Sequence, residues 1–249
     1  VAHVRFNNPA RHNAMSLAMW EGLAETCARL AEDGAVRVVV LSGAGGRAFV
    51  SGADISEFGE SRTGAAASAR YNAAVARAEA ALTALPVPSL AAIRGYCIGG
   101  GLGIALRCDL RLCSEGSRFA VPAARLGLGY GPDGVKALAD VVGPAATADI
   151  LFTARQIGAD EALRLGLVGA VLADDALDAA VDEKVGRIAG NAPLTLRAVK
   201  AALQELRRPE GERDPQRVEA LVAACFDSAD YREGQAAFAE KRKPEFRGA

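Results

Sequence analysis

Short β-branched runs alternate with helical stretches as far as about residue 172, and from about residue 174 the pattern is almost purely helical. That alternation constrains the fold more than any other feature. Interleaved strands and helices bury a sheet between layers, so the expected architecture is α/β with a helical C-terminal region. Residues 1–6 read as the edge of a sheet. Ser16 reads as an N-cap, and Leu17, Trp20, Leu23, Ala24, Cys27 and Leu30 follow at helical spacing. Residues 36–41 form a β-branched run that predicts a buried strand, ahead of a glycine-rich loop over 43–52 and an alanine-rich helix over 65–85. Strands are predicted at 89–94, 109–113, 118–121 and 167–172, and a helix at 102–108. Pro193, Pro209 and Pro215 mark boundaries in the helical tail, and no internal repeat is visible.

Composition excludes several classes of function. The 249 residues suit one large domain, here divided at 1–190 (core) and 191–249 (helical region). With 29 basic and 30 acidic residues the net charge is −1, which argues against a nucleic-acid binder. No apolar run approaches the roughly 18 residues of a membrane span, so no membrane partner is expected. Five scattered cysteines, Cys27, Cys97, Cys108, Cys113 and Cys225, lack metal spacing. No secretory signal opens the sequence at Val1, so reduced thiols and a cytoplasmic location are expected. His3 and His12 are the only histidines, and no metal set, nucleophile elbow or phosphate loop occurs.

Two glycine clusters need separate readings. Gly43-Ala44-Gly45-Gly46-Arg47-Ala48 matches a dinucleotide fingerprint in letters, but Phe49-Val50-Ser51-Gly52 follows where a helix should open. A Rossmann site is therefore rejected. Gly99-Gly100-Gly101 follows a strand and opens a helix, where backbone N–H groups can receive negative charge. Close helix–strand packing is the alternative reading of the same glycines.

Ser51-Gly52-Ala53-Asp54-Ile55, then residues 94–101 (Arg94 to Gly101), then Cys108-Asp109 together resemble the enoyl-CoA hydratase/isomerase (crotonase) family. The resemblance continues through Phe119-Ala120-Val121-Pro122, Leu126-Gly127, Phe152-Thr153-Ala154 and Tyr231-Arg232-Glu233-Gly234 to Pro244, covering nearly the whole chain. It implies a ββα spiral with a C-terminal helical region that packs homotrimers, or dimers of trimers. It also implies an acyl-CoA thioester substrate, with coenzyme A carried by the substrate and no separate cofactor. The N–H groups of Ala53 and Gly100 are the implied oxyanion donors. For coenzyme A it implies contacts along Ala53, Asp54 and Ile55 and at Lys241, with Phe238 three residues earlier. The family's N-terminal basic position falls on Ala10, with Arg11 adjacent.

The same resemblance exposes a departure. The two glutamates with which the family's hydratases move protons fall on Gly103 and Ala123, and neither side chain can do so. Ordinary hydration is then expected to be impaired. Tyr130 is a candidate proton donor, or a loop tyrosine packing its ring. Asp133 is a candidate base, or the cap of the next helix. Glu57 is a third candidate, or a solvated loop carboxylate. Three activities stay open: hydratase or isomerase chemistry with substitute groups, decarboxylation of a malonyl-type thioester with Tyr130 as proton donor, and acyl-CoA binding without catalysis.

Overall fold

A computed structural model describes residues 1–54 and 65–249. Ile55 and Glu57 lie outside the described residues. The strands are β1 (Ala2–Phe6), β2 (Val39–Gly43), β3 (Ala48–Val50), β4 (Ser89–Ile93), β5 (Tyr96–Ile98), β6 (Leu110–Ser114), β7 (Arg118–Ala120), β8 (Ile157–Gly158) and β9 (Ala170–Leu172). The described helices are α1 (Leu17–Glu32), α2 (Ala65–Thr83), α3 (Gly100–Arg107), α4 (Pro132–Thr153), α5 (Ala159–Arg164), α6 (Leu177–Ala189), α7 (Pro193–Leu206), α8 (Pro215–Asp227) and α9 (Ala229–Glu240).

Two sheets share the strands. The larger is parallel in the order β1-β2-β4-β6-β9, and the smaller runs β3-β5-β7-β8 with only the last pair antiparallel. Three successive strand pairs, β2–β3, β4–β5 and β6–β7, each place one strand in the large sheet and the next in the small sheet. A helix follows each pair, which is the ββα spiral. The corners demand glycine where backbones meet. A Cβ on Gly95 (φ +61°) would lie 2.0 Å from the Arg47 carbonyl oxygen, so only glycine turns the chain between β4 and β5 there.

Burial accounts for the strand sequences. β4 is buried at all five positions, with the core of α1, α2 and α3 on one face and α6 on the other. Strands covered on both faces read as continuous apolar runs rather than alternating ones. Beyond α6 the chain stays helical, and α7 is tied to the sheet core by an ion pair between a buried lysine and a half-buried aspartate. Lys200 Nζ donates to Asp109 Oδ2 at 2.8 Å and to the Val87 carbonyl at 2.6 Å.

Several expectations need correction. The first buried strand starts at Val39, three residues late, because Val36 still belongs to the turn leaving α1, with its N–H on the Asp33 carbonyl. β3 and β5 form strands inside segments read as glycine loops. The structural repeat of the spiral has no counterpart in residue identity. Pro132 does open α4, but the N-cap is Gly131 without a side-chain cap bond, and Asp133 lies exposed inside the first turn. Its carboxylate suits the helix dipole there without capping.

Candidate active site

The site begins with a buried asparagine. Asn13, in the left-handed region at φ 55°, donates from Nδ2 to the Ala44 and Ala48 carbonyls at 2.9 and 2.7 Å. Its Oδ1 accepts from the Asn8 N–H at 2.9 Å. This locks the N-terminal turn onto the β2–β3 corner and delivers Met15 to the segment after β3. Met15 N–H donates to the Gly52 carbonyl at 2.8 Å, and Asp54 N–H donates to the Met15 carbonyl at 2.9 Å. In this parallel bridge the intervening Ala53 N–H faces the other way and has no protein acceptor among the described residues.

The second segment is the start of α3. Gly99 caps it at φ +54°, with its own N–H on the Ala120 carbonyl at 2.8 Å. Gly100 and Gly101 are the first two helical residues, whose N–H groups have no intrahelical partner. A Cβ on Gly99 would stand 3.9 Å from Gly52 Cα, so the two segments, carrying the Ala53 and Gly100 N–H groups that have no acceptor among the described residues, abut. The packing reading of these glycines holds here. A Cβ on Gly101 would fall 2.2 Å from the Val50 carbonyl oxygen, which is close helix–strand packing.

A hydrogen-bonded pair supports this from below. Trp20 lies under Gly100, where a Cβ would come within 2.9 Å of its ring. Trp20 Nε1 donates to the Tyr71 hydroxyl at 2.8 Å, and that hydroxyl reaches the Met15 carbonyl at 3.4 Å. One buried network therefore connects both segments.

The chain matches the enoyl-CoA hydratase/isomerase family model over residues 1–249. The chain belongs to that family. It is 33% identical to the short-chain-enoyl-CoA hydratase of Clostridium acetobutylicum, across 98% of this chain and 93% of that protein. It is 34% identical to the (E)-benzylidenesuccinyl-CoA hydratase of Thauera aromatica, across 100% of this chain and 96% of that one. A crystal structure of an enoyl-CoA hydratase/carnithine racemase from Magnetospirillum magneticum superimposes with a TM-score of 0.92 at 40% identity, covering 99% of this chain and 92% of that one. As a member of the enoyl-CoA hydratase/isomerase family, the protein is an acyl-CoA enzyme of the lyase and isomerase type.

The remaining candidates are spread unevenly around this centre. Tyr130 is partly buried against the core, and burial, with the nearby Glu79 charge, pushes its phenol up to about 12. Ala123 packs against the same core. Arg11 does not stand alone: its Nη1 donates to both Asp54 oxygens at 2.8 and 3.0 Å. Phe238 belongs to α9, which packs on α8, Lys241 caps its C-terminal end, and no described hydrogen bond or ion pair ties either to Arg11, Ala53 or Asp54. Beside Lys241, Arg242 is held by Glu233 at 2.6 and 2.9 Å.

No group of described residues could hold a metal ion, and no helix among them is long and apolar enough to cross a membrane. Cys27, Cys97, Cys108 and Cys113 are buried, and desolvation raises all four thiols, which makes them poor nucleophiles. Sequence reasoning missed Asn13, Tyr71 and Glu79. An asparagine after a Pro-containing turn was the only available signal for the first of these.

Proposed function

We propose that this enzyme binds an acyl-CoA thioester with its carbonyl oxygen between the Ala53 and Gly100 N–H groups and stabilises the enolate formed there. The observation that carries this is the juxtaposition of two partnerless backbone donors on abutting, glycine-fixed segments. Preorganised donors of this kind contribute about 3–4 kcal/mol each to an oxyanion transition state. Gly103 and Ala123 offer no proton-transfer group, and each missing group is worth about 10²–10⁴-fold, so ordinary hydration is not the main reaction.

A second reading is favoured by Tyr130. A phenol held protonated to about 12 is suited to give a proton to the enolate left when a malonyl-type thioester loses CO₂. Crotonyl-CoA and a malonyl-type thioester, offered in parallel, separate the two. Loss of enoyl absorbance at about 1–10³ per second would restore the hydratase reading. Release of CO₂ abolished in Tyr130→Phe would establish decarboxylation, and binding without turnover of any ester would leave an acyl-CoA-binding protein.

We also propose that the enzyme works as a homotrimer or a dimer of trimers. Support comes from the apolar groove between α7, α8 and α9, lined by Val199, Val222, Phe226 and Phe238, with Phe226 60% and Phe238 89% exposed. Lys241 at the end of α9 is then offered to the coenzyme A of a neighbouring copy, and Arg11 and Asp54 to the same cofactor moiety within the chain. Sedimentation at working concentration distinguishes a trimer from a monomer.

A further inference from the structure

The helix face that carries Gly100 also carries Gly103, one turn on, and residues three apart on a helix are neighbours. At Gly103 the space is taken by another residue. A Cβ built there would stand 2.7 Å from Glu79 Oε1, which reaches in from α2. The other oxygen of that carboxylate is clamped: Glu79 Oε2 accepts from Arg107 Nε at 3.1 Å and from Arg107 Nη2 at 2.9 Å. Arg107 is one turn beyond Gly103 on the same helix, so α3 both leaves the space and orients the group that fills it. Glu79 Oε1 has no described protein donor, and the side chain keeps 19% exposure.

We infer that Glu79 is the proton-transfer carboxylate of this enzyme, delivered from α2 through the opening at Gly103 to a thioester held at Ala53 and Gly100. The inference rests on the acyl-CoA reading above and deepens it. Glu79 Oε1 takes a proton from the α-carbon of a β,γ-enoyl ester or, in the reverse direction, from the γ-carbon of an α,β-enoyl ester. The C–H electron pair moves into the conjugated system, and the carbonyl oxygen becomes the enolate oxygen. Return of the same proton to the other carbon moves the double bond and regenerates the carboxylate. No outside reactant is consumed. One shuttling carboxylate suffices for this step, so the favoured substrate class is an enoyl-CoA thioester undergoing isomerisation. Arg107 is a positioning residue.

The test is exchange of the α-protons of butyryl-CoA in D₂O, followed by NMR beside the affinity for the same ester. Wild type is expected to exchange. Glu79→Gln keeps the shape and an acceptor for Arg107, and is expected to lower exchange about 10²–10⁴-fold with affinity unchanged. Gly103→Ala pushes the carboxylate aside without touching its charge, and is expected to lower exchange about 10²-fold; it keeps the inference testable if Glu79→Gln does not fold. Binding without exchange in wild type would overturn both the enolate reading and the Glu79 role. Exchange in wild type that survives in Glu79→Gln, or is lost only in Tyr130→Phe, would overturn the Glu79 role alone.

Discussion

Replacing Gly101 by alanine should damage the fold and the chemistry together, through one contact. The added Cβ would lie 2.2 Å from the Val50 carbonyl oxygen and 2.8 Å from Val50 Cβ. Neither neighbour can swing away, because Val50 is a fully buried strand residue. To reach ordinary contact the start of α3 must retreat by about 1 Å, and overpacking of this kind costs about 1–3 kcal/mol. For a chain of this size each kcal/mol lowers Tm by about 2–4 °C, so a fall of about 2–12 °C is expected. The same retreat moves the Gly100 N–H away from the position proposed for the oxyanion, and loss of one such donor costs about 10²–10³ in kcat. Acyl-CoA turnover well below Tm should therefore fall by about that factor while the protein remains folded. Gly103→Ala provides the contrast, since its Cβ meets only the end of the Glu79 side chain, and its Tm should stay near that of wild type. A Gly101→Ala enzyme with unchanged Tm and kcat would refute the packing argument.

Other consequences can be checked independently. Lys200→Met leaves Asp109 without its cation and should cost about 3–5 kcal/mol, read as a lower denaturation midpoint that Asp109→Asn partly restores in the double variant. Asn13→Ala strands the buried Ala48 carbonyl and the half-buried Ala44 carbonyl and should cost about 1–3 kcal/mol by the same assay, with turnover falling as the Met15–Ala53 bridge loosens. For Tyr130, a folded-state value near 12 against 10.0 means that the unfolded chain ionises first as pH rises. The contribution of the neutral phenol to stability is thus present below about 10 and lost between about 10 and 12. Alkaline unfolding of Tyr130→Phe should therefore lie at higher pH than that of wild type; superimposable curves would place the phenol in water.

Much of this was legible in the sequence where local chemistry decides local structure. Ser16 caps α1 through a 3.1 Å bond to the Met19 N–H, and β1, β4 and α2 lie close to their predicted spans. β3 and β5 were not legible, because three residues between glycine corners are too few to display a period. Val36 misled for a related reason: a buried β-branched residue in a turn has the same letters as one in a strand. The Gly99–Gly101 motif marked the candidate site, and the structure supplied what it abuts. The Trp20–Tyr71 bond joins residues 51 apart, and the Glu79–Arg107 pair joins residues 28 apart. Neither spacing has a local signature. Glu79 in particular reads as one carboxylate on an alanine-rich helix, and only the missing side chain at Gly103 gives it room against α3.

The central claim is that the thioester oxygen sits between the Ala53 and Gly100 N–H groups. The direct measurement is an isotope-edited infrared difference spectrum of bound butyryl-CoA carrying ¹³C at the thioester carbonyl. Two donors on one oxygen should polarise the bond and move its stretch to lower frequency than in water. A carbonyl stretch unchanged from solution would contradict the account, because an oxygen held by no donor has no enolate to stabilise.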